Sequence, residues 1–378
     1  MAALLPSELL DRIFGNFSLA DFYERRTIAR FGLVCKSWGS ASRYQLFRSV
    51  KLTERNIDSF LELVPASAFP ISSVIRSLEL ASGGRNQEII CASIPTLGAL
   101  PLIKRLRITM NEAVLMDNLS MLGELFPNIT ELQLHASELS FATILKTTHT
   151  FKLLQSLALS WVYLTDEPPS GLSLGVHPHW HKLALDLTSM SVTQPLNETS
   201  RTTSEHFFGF LLALDLVPVM TALSVSAYNP GHVGHANLSL YLRQHGKHIE
   251  DLRIETQDSK FAGVDALSSC TTLKRLEIVL NLNRPTNILE QLLDTFKNVA
   301  QSCQRTLKRI IVVDMYGARP VNLEWDDLDE LLATDKRFAC LELFLFQSSN
   351  SLVCDSFREG MPLAGKRILL QVESMFST

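Results

Sequence analysis

Two hydrophobic periods run along this chain, and the change from one to the other divides it. In the first fifty residues the period is helical. Leu9, Leu10, Ile13, Phe14 and Phe17 follow Leu5 and Pro6 at the three- and four-residue spacing that lines one helix face. Pro6 suits a first helical turn, where its missing N–H costs nothing, and Glu8 and Asp11 favour the same end. A helix is predicted from about Pro6 to Phe17. Asp21 opens a second helical stretch reaching about Val34, and a third carries Trp38 to about Phe47, with Gly32 and Gly39 as candidate breaks. The apolar set there is Ile28, Phe31, Val34, Cys35, Trp38, Leu46 and Phe47. Fifty residues do not usually bury so many large apolar side chains among themselves, so the module is a candidate for docking on a partner.

From Ile75 onward the period is that of a strand. One figure recurs: apolar, two variable, apolar, one variable, apolar. Its last two apolar positions are Leu78 and Leu80, then Leu106 and Ile108, Leu132 and Leu134, Leu157 and Leu159, and Leu183 and Leu185. Leu223 and Val225, Leu252 and Ile254, Leu276 and Ile278, Ile310 and Val312, and Leu341 and Leu343 follow, with Arg367–Leu370 as a last, imperfect copy. The first copies fall 28, 26, 25 and 26 residues apart, and later gaps reach 40. Helical stretches are predicted between copies, over Leu115–Phe126, Glu205–Leu216, Ile288–Val299 and Trp325–Leu332, one opened by an Asn287–Glu290 capping box. This spacing resembles leucine-rich repeats. The resemblance implies stacked strand–helix units, each strand pairing in parallel with the next, since no unit buries its apolar face alone. The family's asparagine appears only at Asn111 and Asn281; Ser137, Val162, Tyr228 and Gln257 stand in its place elsewhere. The competing reading is an ordinary α/β domain with parallel strands.

The first fifty residues carry a second resemblance. Leu5-Pro6-x-Glu8-Leu9-Leu10-x-x-Ile13-Phe14, then Leu33-Val34-Cys35-Lys36-x-Trp38, then Leu46-Phe47-Arg48-Ser49-Val50, resemble an F-box. The polar stretch Asp21–Arg30 is longer than that family's usual connection. The resemblance implies a helical trio that docks on the adaptor Skp1, which links it to a cullin-based ubiquitin ligase. The family's contact positions fall on Leu5, Pro6, Leu9, Leu10, Ile13, Phe14, Val34, Cys35 and Trp38. The alternative is that these residues form only the core of a helical bundle; both hold residue by residue if a docking module also has a core of its own.

Composition narrows the rest. Of the 378 residues, 46% are hydrophobic and 20% charged, which supports a large core and argues against wholesale disorder. A net charge of −4 with no strongly basic segment gives a nucleic-acid role no electrostatic support. Six dispersed cysteines without a CxxC pair suggest buried thiols in a reducing compartment. The start lacks a basic region before its apolar run, and no run approaches the ~18 residues of a membrane span, so no leader and no membrane are expected. The sequons at Asn118, Asn128, Asn197 and Asn237 are then chance matches.

Candidates for chemistry are weak. Gly171-Leu-Ser173-Leu-Gly175 has the nucleophile-elbow pattern, but Pro168-Pro169 and His177-Pro178-His179 flank it where a strand and a helix are needed. His177, His179 and His181 alternate, and His232/His235 and His245/His248 have three-residue spacing, all without a nearby thiol to complete a zinc shell. Glu324, Asp326, Asp327, Asp329 and Glu330 around Trp325 lack the glycine of a calcium loop and read as the solvated start of a helix. Ser82-Gly83-Gly84-Arg85 lacks the ending of a phosphate loop and reads as a turn. The long stretches 165–179 and 188–203 are candidates for recognition. The expectation is therefore an α/β chain: a three-helix F-box over residues 1–50, then an irregular leucine-rich-repeat-like solenoid with a parallel sheet over 51–378. Its role would be a non-catalytic, cofactor- and metal-free receptor that joins a Skp1-type adaptor and cullin to an unknown protein target in the cytoplasm or nucleus. The alternatives are a scaffold that does not direct ubiquitination, and an enzyme, which would need converging titratable groups.

Overall fold

In the computed structural model the chain opens with three helices, α1 (Ser7–Gly15), α2 (Phe22–Phe31) and α3 (Lys36–Arg48). The described residues are 7–17, 22–67, 70–82, 87–135, 138–160, 162–164, 180–188, 203–214, 217–228, 236–256, 264–280, 288–299, 303, 305–315 and 324–375. Helix α2 stops three residues short of the expected end, and Gly32, Leu33 and Val34 continue as a tight turn, each N–H donating three residues back. Gly39 is no break. It lies inside α3 where a Cβ would stand 3.1 Å from the Gly32 carbonyl oxygen, so the missing side chain lets the two helices approach closely.

The chain forms two compact units, Met1–Gln155 and Ser156–Thr378. In the first, α3 passes directly into strand β1 (Ser49–Leu52), followed by β2 (Ser77–Ala81), β3 (Arg105–Thr109) and β4 (Glu131–His135). All four are parallel, in register Val50↔Leu78↔Leu106↔Leu132 and Leu52↔Leu80↔Ile108↔Leu134. The copy at β1 was not expected, although Phe47-x-x-Val50-x-Leu52 follows the recurring figure. Between the strands lie α4 (Ile57–Ala66) and α5 (Ile71–Val74), then α6 (Gln87–Ser93), then α7 (Glu112–Leu125). A two-residue strand, β5 (Glu138–Leu139), precedes α8 (Phe141–Thr150). Asn111 caps α7 through Val114 N–H at 2.9 Å, so it serves its own helix rather than an asparagine ladder.

The second unit begins with β6 (Ser156–Ser160), the short β7 (Tyr163–Leu164) and β8 (Lys182–Thr188). It continues through β9 (Ala222–Tyr228), β10 (Asp251–Thr256), β11 (Arg275–Leu280), β12 (Arg309–Asp314), β13 (Leu343–Ser348) and β14 (Leu369–Ser374). Apart from β7, each strand pairs in parallel with the one before it, in the order β6-β8-β9-β10-β11-β12-β13-β14. A doubly wound sheet reverses strand order at a switch point; here the order only advances, as it does in stacked repeats. Helices α9 (Thr203–Ala213), α10 (Ala236–His245), α11 (Ile288–Lys297), α12 (Asp326–Thr334), α13 (Ser351–Glu359) and α14 (Ala364–Arg367) fill the connections.

The expected copy ending at Leu341 and Leu343 is out of phase by three residues. Ile310 pairs with Phe344 and Val312 with Phe346, and both phenylalanines are 0% exposed. They stack on Phe357 with ring centres 5.6 and 4.3 Å away, and Trp325 meets Phe357 edge-on at 4.9 Å. The solvated reading of the acidic run is corrected in two places. Trp325 is buried, and Asp329, 3% exposed, accepts the N–H groups of Leu363 and Ala364 at 2.9 and 2.7 Å. A carboxylate from one repeat thus caps the helix start of the next.

Candidate functional site: an apolar face on the first three helices

Two apolar stripes run along α1, one residue out of step. Leu10 and Phe14 point inward, 2% and 1% exposed. Leu9 and Ile13 point outward, 44% and 36% exposed. Four-residue spacing keeps each pair on its own side, and the one-residue offset turns the stripes about 100° apart. The inward stripe meets a ring cluster. Phe14 lies 5.6 Å from Phe31 and 5.7 Å from Trp38, and Trp38 meets Phe31 edge-on at 5.4 Å. Beneath it the buried Ser42 hydroxyl donates to the Ile28 carbonyl at 2.6 Å, tying α3 to α2.

The turn between α2 and α3 carries a second outward group. Leu33 and Val34 are exposed, Leu33 by 86%. Cys35 follows as the N-cap of α3, with its thiol 3.2 Å from the Ser37 hydroxyl. That hydrogen bond, with the Trp38 backbone N–H, holds the thiol below its ordinary pKa. Trp38 itself is half-buried. Helix α3 packs on both α1 and α2, and the turn that carries Leu33 and Val34 leads into it.

The nine expected contact residues therefore divide. Leu9, Ile13 and Val34 are exposed, Cys35 and Trp38 are half-exposed, and Leu10 and Phe14 are spent in the module's own core. Leu5 and Pro6 lie outside the described residues. Leu33 is the most exposed large apolar residue among the described residues of the module and was not among the nine. The predicted helix to about Val34 hid it, because only the structure places Leu33 in a turn.

With this geometry in place, comparison with known families is decisive for the module: residues 3–49 match the F-box domain. The chain carries an F-box. No curated protein matches the chain. F-box domains bind Skp1-type adaptors, and the outward stripes are the part of this F-box that its own core leaves free. The leucine-rich-repeat resemblance rests on the strand order and register, with no family match behind it.

The remaining candidates do not converge. Ser173, His177, His179, His232, His235, Asn197, Asn281, Asn287 and residues 83–86 lie outside the described residues, as do 165–179 and 189–202. His181 lends its backbone carbonyl to Thr221 and Ala222. The His245 ring lies tilted against Tyr241 with centres 5.1 Å apart, and burial, then the nearby His248 and Lys247, lower its pKa. Among the described residues no group of three or more His, Cys, Asp or Glu is arranged to hold a metal ion, and no helix is long and apolar enough to cross a membrane. The six cysteines are free thiols, with Cys270, Cys303 and Cys354 buried and Cys340 exposed.

Proposed function

We propose that this chain is a non-catalytic substrate-recognition subunit of a Skp1–cullin–F-box ubiquitin ligase. The F-box over residues 1–50 tethers the adaptor, and the repeats over 51–378 present a protein target. The observation that carries the reading is the outward stripe: Leu9 and Ile13 stay exposed although Leu10 and Phe14 beside them complete the core. Burying side chains already half-covered contributes about 1 kcal/mol each, so the stripe and Val34 together suit a specific complex. Leu5, Pro6, Leu9, Ile13, Val34, Cys35 and Trp38 form the proposed contact set, with Leu10 and Phe14 shaping it from below. The receptor works by proximity: it raises the target's effective concentration at the transfer machinery and makes no bond itself. A reducing compartment, cytoplasmic or nuclear, suits the six free thiols.

The test is a pull-down with purified Skp1 and the full chain. Leu9→Asp with Ile13→Asp should reduce capture by at least about 100-fold, as expected when central apolar contacts become desolvated charges, and leave the far-UV spectrum unchanged. Undiminished capture sinks the docking assignment. Co-purification of a cullin, and accumulation of the target when the chain is deleted, separate a ligase receptor from a scaffold that binds Skp1 without directing ubiquitination.

A further inference from the structure

A groove of about 720 Å³ lies between α2, the end of α3, β1 and α4, all within the first compact unit. Leu46 and Phe47 form one wall, Phe60 and Leu63 the other, and Leu52 belongs to the floor. Leu63 is 43% exposed. Leu46 and Phe47 belong to the F-box motif, yet the outward face of α1 makes no use of them. Arg25 and Arg26 stand at the rim from α2. Both are exposed, and neither side chain makes an ion pair or hydrogen bond among the described residues. The third cation of the lining, Lys51, is engaged by Glu79 at 2.6 Å. An apolar trough edged by two arginines that have no acidic partner among the described residues complements a segment that is apolar on one side and acidic beside it.

The walls indicate the shape of that segment. Arg25 and Ala29 sit about one turn apart on α2, and Ser59 and Leu63 about one turn apart on α4. Four residues of helix advance about 6 Å, the spacing at which a third helix offers its own i and i+4 side chains. An added strand suits the site less well. The Asn56 amide donates to the Lys51 carbonyl at 3.0 Å, so β1, the first strand of the sheet, has that edge acceptor occupied. This chain's own acidic helix does not supply the occupant, because α12 buries Leu328 and Leu332 completely and uses Asp329 as a cap.

We propose that this groove docks an acidic amphipathic helix of a partner protein, as a binding surface separate from the proposed Skp1 face. None of Leu9, Ile13 and Val34 lines it. The experiment pans a phage-displayed library of helix-forming peptides on the full-length chain, counter-selecting on Arg25→Glu/Arg26→Glu/Leu63→Glu. The leading peptide is then synthesised and titrated by fluorescence anisotropy. The expected consensus has two apolar residues three or four apart and at least two carboxylates. Its affinity should fall about tenfold or more with Arg25→Glu/Arg26→Glu and weaken as salt is raised. Arg25→Ala/Arg26→Ala, two surface truncations, gives the same direction if the triple variant misfolds. A charge-free or basic consensus, or no peptide that distinguishes the variants, overturns the proposal. A wild-type dimer that the variants abolish in sedimentation overturns it in favour of a second copy. Skp1 capture by the arginine variants should equal wild type, so failure of the groove leaves the F-box reading untouched.

Discussion

Leu9 and Leu78 are the same side chain with opposite fates. Leu78, in β2, is 0% exposed because Val50 and Leu106 flank it in register and helices cover it. Leu9, on α1, is 44% exposed although a ring cluster stands one residue away. The stacked strands consume apolar residues, since every unit hands its uncovered face to the next. The three-helix module has no such neighbour on its outer side. Exposure of leucine therefore carries information in α1 that it could not carry inside the stack, and substitutions should separate the two regions by what they destroy.

The largest effect is expected in the stack. Phe357 lies against Phe344, Phe346 and Trp325, and Phe357→Ala should cost about 3–5 kcal/mol, read as a lowered denaturant midpoint, with Skp1 capture by the still-folded protein unchanged. A stability loss below about 1 kcal/mol would mean that the rings repack and the contrast is overstated. Next comes a neighbouring pair on α1. Leu10→Ala should cost the module about 2–5 kcal/mol, seen as faster amide exchange in α1, whereas Leu9→Ala should change stability by less than about 0.5 kcal/mol and still weaken Skp1 binding. Equal stability losses at the two positions would erase the distinction between inward and outward stripes.

The smallest effect probes how one repeat holds the next. Glu112 opens α7, and its carboxylate accepts from the Ser140 N–H at 2.8 Å and from the Ser140 and Thr143 hydroxyls. Burial alone would raise its pKa, but these three donors outweigh it and hold the carboxyl below its ordinary value. A lowered folded-state pKa contributes stability that is present above the unfolded value of about 4.5 and lost as pH falls through the folded one. Glu112→Gln should cost about 1 kcal/mol near neutrality and flatten the acid side of the stability profile below about pH 4.5. An unchanged acid limb would show that the link between α7 and α8 does not depend on charge.

Most strands were legible because their inward positions are apolar and their outward ones are not. Glu79, Arg107 and Gln133 alternate with buried leucines, so only one phase is possible. The same rule explains the failure at β13. Leu343, Leu345, Phe344 and Phe346 make both faces apolar, and Phe338-Ala-Cys-Leu341-Glu-Leu343 satisfies the figure as well as the true copy does. Strand β1 was hidden because Phe47 serves two patterns, closing a helical set and opening a strand figure. Asp329 was unreadable for another reason: the N–H groups it accepts arrive 34 and 35 residues later in the chain. In the F-box, the motif located the three helices, but the assignment of Leu10 and Phe14 to the core depends on Phe31 and Trp38, which spacing within α1 cannot reveal.

The junction of α3 and β1 has a consequence for how this protein could change over time. Arg48 ends the helix and Ser49 begins the strand, with no residue between them. One inserted residue would turn everything on the helical side by about 100° and exchange the two faces on the strand side. Val50 and Leu52 would lose their places beside Leu78 and Leu80. An insertion at this point should therefore destabilise the first repeat, although the gaps between later repeats vary from 24 to 40 residues. A recombinant that grafts this F-box onto other repeats should therefore carry the sequence through Leu52.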